Sequence, residues 1–202
     1  MMKNTMNKNI KRIATHVLLA SSFTMLPVLA SAQEKIPSEE IAQARELVKI
    51  FGSDLKSVLK TTMGTAGPIK ALEVCHVQAG PIADKNSASS TWDIARTSLK
   101  VRNENNAPDA FELAVLQQFE QRKAAGESLK TMEYAETVQA NGKTLYRYMK
   151  PIPTAGLCLA CHGSTLADDV STKINELYPN DTATGFAAGD IRGAFTLQKI
   201  KY

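Results

Sequence analysis

The chain has 202 residues, 44% of them hydrophobic and 22% charged, with 11 Gly and 8 Pro. That ordinary globular composition excludes collagen, low-complexity disorder and a polytopic membrane protein. The formal charge of +4 resides in residues 1–32, which hold Lys3, Lys8, Lys11 and Arg12 and no acid. The rest carries 20 basic and 20 acidic residues, with no basic cluster to serve as a footprint for nucleic acid.

Residues 1–32 have the layout of a secretory signal: a basic stretch to Arg12, an apolar run from Val17 to Leu29, and the small-x-small sequence Ala30-Ser31-Ala32. The alternative is an uncleaved anchor. The run contains His16, Ser21, Ser22, Thr24 and Pro27, which is polar for a span that needs about 20 apolar residues. Residues 33–202 are therefore expected to form a single exported, periplasmic domain with no membrane span. No Cys follows the cleavage site to carry a lipid.

Along that domain, residues 38–63 are predicted to be an amphipathic helix, with Ser38 as cap and Ile41, Ala44, Val48, Phe51, Leu55 and Val58 on one face. Gly64 to Pro68 break the pattern. A shorter helix is predicted from about 68 to 79, carrying Cys75 and His76 and ended by Gly80-Pro81, with a loop over 84–91. Residues 92–99 read as a strand and 103–107 as a turn. Pro108 opens a helix to about Ala125, with Phe111, Val115 and Phe119 inward. Met132–Val138 and Thr144–Met149 flank Asn141-Gly142, the signal of a tight hairpin. Residues 168–178 read as a helix, 185–193 as a loop and 194–200 as a last strand. Strands joined by a hairpin with helices set around them indicate an α+β fold with an antiparallel sheet.

Between the hairpin and the last helix lies Cys158-Leu159-Ala160-Cys161-His162, the C-x-x-C-H pattern of covalent haem attachment. Two thiols three residues apart can form thioethers with the two vinyl groups on one porphyrin edge, and the adjoining imidazole then falls beneath the ring to bind iron. Three other readings stay open. A thioredoxin-like pair would normally follow a strand, whereas Pro151, Pro153 and Gly156 precede this one. A structural zinc needs four ligands, and beyond these residues the domain has only Cys75 and His76 to add. The third is a plain disulfide. Cys75 leaves an odd thiol, which a simple disulfide framework does not explain.

The chain resembles a family of exported single-haem c-type domains of PAS-like fold, first recognised as a domain of unknown function. The resemblance runs from about 40 to 197. It rests on Ala71 to Cys75, Ala79 to Ala83, Arg96 to Asn103, Asn106 to Asp109, Lys150 to Ile152, Cys158 to Gly163, Tyr178 to Asp181 and Gly189 to Gly193. Arg-Thr-Ser-Leu-Lys together with Gly-Asp-x-Arg-Gly makes it specific. The resemblance implies one covalently bound haem c, with His162 as proximal iron ligand and Cys75 as the sixth. His76, about 100° away on the same helix, is the alternative sixth ligand, and Cys75 is then a core thiol. Met149 is a lesser rival, equally explained as a hairpin core residue. Arg96, Lys100 and Arg102 would share one face of an extended segment and meet the haem propionates, or form a solvated basic edge. Arg192 is a weaker candidate for the same task.

The function so implied is a low-potential, six-coordinate periplasmic cytochrome. It would act in electron transfer, or in redox or diatomic-ligand sensing, through a separate redox or signalling partner. The alternative is a small haem enzyme, peroxidase-like or nitrite-reducing, whose sixth position opens.

Overall fold

The computed structural model describes residues 35–201; the segment read as an export signal lies outside them. Helix α1 spans Ser38–Ala88 but is two helices in one assignment, interrupted at Gly67 (φ 75°, ψ −176°). A left-handed φ of this kind suits a residue without Cβ, and Pro68 then takes the first turn of the second half, where its missing N–H costs nothing. Asn86 donates to the Asp54 carboxylate at 3.1 Å. In a straight helix these residues would stand roughly 48 Å apart, so the second half folds back along the first.

That second half corrects the sequence reading. It does not stop at Gly80-Pro81 but runs through Pro81 to Ala88, so most of the expected loop 84–91 is helical. Pro81 removes the hydrogen bond to the carbonyl of Val77, and Val77 is 62% exposed, where water can replace it. Ile82 and Ala83 pack on the core and Asn86 is buried, and this packing outweighs the proline.

Strands β1 (Asp93–Thr97), β2 (Tyr134–Ala140), β3 (Lys143–Pro153) and β4 (Ile191–Ile200) form one antiparallel sheet in the order β1-β4-β3-β2. The hairpin turns where expected, with positive φ at Asn141 and Gly142. Strand β4 starts three residues earlier than predicted, which brings Arg192 into the sheet. The fold is α+β, as the sequence indicates.

Side chains alternate across the sheet and feed two layers. On one face the first half of α1 buries Ala44, Leu47, Val48 and Phe51 against Trp92, Ile94, Tyr146, Tyr148 and Leu197. On the other, α2 (Ala110–Ala124) buries Val115, Leu116 and Phe119 against Met132, Met149, Ile191 and Ala194. Met149 is thus a fully buried core residue. Asp109 caps α2 in a reciprocal box with Glu112. Arg147, beneath them on β3, reaches Asp109 at 2.9 Å and Glu112 at 3.2 Å. A third cluster joins the second half of α1 to α4 (Asp168–Leu177): Leu72, Val170 and Ile174, with Cys161 packed among them. None of the described helices is long and apolar enough to cross a membrane.

Candidate functional site

The Cys-x-x-Cys-His segment sits at the end of β3. Pro151 and Pro153, taken in the sequence as a sign against a preceding strand, are residues of β3 itself. They fit because β2 pairs with β3 only as far as Met149, leaving residues 150–153 with one neighbour, β4. A 3-10 turn, Gly156–Cys158, then leads straight into the one-turn helix α3, Leu159–His162.

Backbone pairing holds this turn against the segment 181–186. Phe186 N–H donates to the His162 carbonyl at 2.9 Å and Gly185 N–H to the Gly163 carbonyl at 3.0 Å. Arg102 is the clamp beneath. It binds both Asp181 oxygens at 3.1 and 3.0 Å and donates to the carbonyls of Cys161 (2.7 Å) and Ala183 (3.3 Å). Both its side chain and that of Asp181 are nearly buried.

His162 Nδ1 lies 2.7 Å from the Ala183 carbonyl. A carbonyl only accepts, so Nδ1 carries the proton and the lone pair is on Nε2. Burial, reinforced by the charges of Arg192, Arg102 and Arg96, pushes the imidazole down to about 3, so the ring is neutral. A neutral imidazole with a pinned Nδ1–H is the form that ligates metal.

The three thiols share one neighbourhood. Cys158, Cys161 and Cys75 are half-buried and unpaired by disulfides. The Cys161 thiol is pushed up by burial, lowered by Arg102 and raised by its neighbours Cys75 and Cys158. Cys75 lies on the inward stripe of the second half of α1, with the buried Leu72 one turn before it. Burial raises its thiol and the Arg96 guanidinium opposes that. His76, the other candidate, is exposed, its ring edge-on to Tyr178 at 5.0 Å. Among the described residues no group of three or more His, Cys, Asp or Glu side chains is placed to hold a metal ion by itself, as a structural zinc would require.

The expected basic face does not form, because β1 ends at Thr97 and residues 98–102 turn. Arg96 shares the α1 side of the sheet with Ile94, its field reaching Cys75 and Tyr178. Lys100 donates to the Thr184 carbonyl at 3.1 Å. Arg102 is taken up by Asp181. Arg192, the weaker candidate, is the one placed on the histidine: its Nε is 3.2 Å from Nδ1 and 3.4 Å from Nε2, and its Nη1 reaches Ser98 Oγ at 3.1 Å. Ala183 was invisible in the sequence because a backbone carbonyl does its work. A hollow of about 170 Å³ lies beside the site, lined by Ser98, Lys100, Leu116, Glu120, Phe186 and Gly193. Another of about 430 Å³ lies at the hairpin end of the sheet and includes no Cys or His.

With this geometry the chain can be set beside known proteins. No curated protein matches it. The structure is similar to the crystal structure of the cyanobacterial heme-protein Tll0287, with a TM-score of 0.63 and 26% identity over 83% of this chain and 98% of that one. The Tll0287-like family model matches residues 2–199, nearly the whole sequence, and the chain belongs to that family.

Proposed function

We propose that the protein carries one haem c, attached through Cys158 and Cys161 and ligated by His162 and Cys75, and acts as a periplasmic electron carrier or redox sensor. The observation that carries this reading is the pinned, neutral His162 in the same turn as two free thiols, with a third thiol near them on the facing helix. The haem would supply a one-electron couple; the chain's residues decide how it is held. The donors present fit such a group. Ala183 fixes which nitrogen of His162 would be left to bind iron, and Arg102 holds the carbonyls of Cys161 and Ala183 in place. Cys75 is half-buried whereas His76 is exposed, which favours Cys75 as the second iron ligand. Arg96 would offset part of the negative charge of a thiolate there.

A protein so ligated hands electrons or a conformational signal to a separate redox or signalling partner, and an occupied sixth position favours that over catalysis. Export rests on the pattern of residues 1–32 alone. The test is expression with the haem-attachment machinery, then acid-acetone extraction. The wild type should keep stoichiometric haem with the haemochrome spectrum of two thioethers, and a Cys158→Ser/Cys161→Ser double variant should lose it. Wild-type protein that retains no haem after extraction would refute the proposal.

A further inference from the structure

Four cations lie around Cys161 and His162, and their neighbours set two of them apart. Arg102 is spent on Asp181 and two carbonyls. Arg96 lies on the α1 side of the sheet, its charge acting on Cys75 and Tyr178, and among the described residues it has no ion pair with a carboxylate. Lys100 and Arg192 differ from both. Each lies over the Phe186 ring, at 5.0 and 5.3 Å from its centroid, and Phe186 stands edge-on to His162 at 6.2 Å. Among the described residues neither forms an ion pair with a carboxylate. The acceptors of Lys100 and Arg192 are neutral: the Thr184 carbonyl for one, and the Ser98 hydroxyl, the Lys100 carbonyl and the imidazole for the other.

Arg192 is half-buried, so a guanidinium without a counter-charge is costly there. Its contact with the histidine is also provisional. Nδ1 gives its proton to Ala183, so the only ring lone pair open to the Arg192 Nε–H is that of Nε2. A metal on that nitrogen removes the acceptor and leaves Arg192 in need of an anion. Gly193 follows it at a point where a Cβ would run into the Thr97 carbonyl, so the strand that carries Arg192 lies close against β1 there.

We propose that Lys100 and Arg192, rather than the ion-paired Arg102, form the subsite that takes the carboxylates of the bound porphyrin. This rests on the haem reading above. The test is resonance Raman spectroscopy of the haem-loaded full chain, read at the propionate-bending bands, which respond to hydrogen bonds from the protein. Both Arg192→Gln and Lys100→Gln should shift those bands towards the position of a solvent-exposed propionate, whereas Arg192→Lys should keep them near the wild-type position. If Arg192→Gln fails to fold, Lys100→Gln alone decides, since that side chain's one hydrogen bond among the described residues is to a carbonyl at an exposed position. Bands unmoved in these variants would overturn the subsite while leaving the haem reading intact. A wild type that retains no haem would remove that reading and the subsite with it.

Discussion

At the scale of single residues, His162 has the most to tell about the haem-free chain. Its imidazole is held near a pKa of about 3 in the fold, against about 6.5 in an unfolded chain. Between those values the unfolded state binds the extra proton, so stability should be full above pH 6.5 and fall as the pH drops towards 3. The loss is at most about 5 kcal/mol. Denaturant melts of haem-free protein across that window should show the fall, and His162→Gln should flatten it; equal slopes in both would contradict the burial described. Arg102 and Asp181 form a nearly buried pair, so Asp181→Asn leaves a stranded guanidinium and should cost about 3 kcal/mol in the same melts. The sequence exposed the chemistry-bearing residues of this site but not their division of labour. Arg102 and Arg192 look alike in a string of letters. Which one clamps a loop and which one meets the histidine depends on Asp181 and Ser98, brought in from distant segments.

Elements were legible where local chemistry is strong and less so where packing decides. Asn141-Gly142 marked the hairpin and Pro108 the start of α2, which the Asp109–Glu112 box sets two residues later, at Ala110. Helix α1 shows the opposite case. Gly67-Pro68 broke it as composition suggests, yet Gly80-Pro81 did not, because the residues beyond face the core and the freed carbonyl faces water. Two substitutions separate these glycine–proline pairs. Gly67→Ala should destabilise by about 1 kcal/mol or more, since the turn needs a left-handed φ. Pro81→Ala should stabilise by about 1–3 kcal/mol by restoring a hydrogen bond in a helix already formed. Thermal melts giving the same sign for both would contradict this account of the helical hairpin.

For the molecule as a whole, the fold brings four distant stretches to one place: the second half of α1 with Cys75, the end of β1 with Arg96, the turn after β3 with the attachment motif, and the start of β4 with Arg192. The sheet class followed from the order of elements, because helix and strand periods differ and the hairpin requires antiparallel pairing. The meeting of Cys75 with Cys161 did not follow from order at all. It depends on the fold-back at Gly67 and on the packing of Leu72 against α4. The measurement that bears most directly on this is low-temperature EPR of the ferric, haem-loaded protein beside its Cys75→Ser variant. A narrow low-spin thiolate signal, lost in the variant, is expected if Cys75 and His162 are the axial pair. A wide bis-imidazole-type signal, unchanged in the variant, would give the sixth position to His76, make Cys75 a core thiol and contradict the site as described.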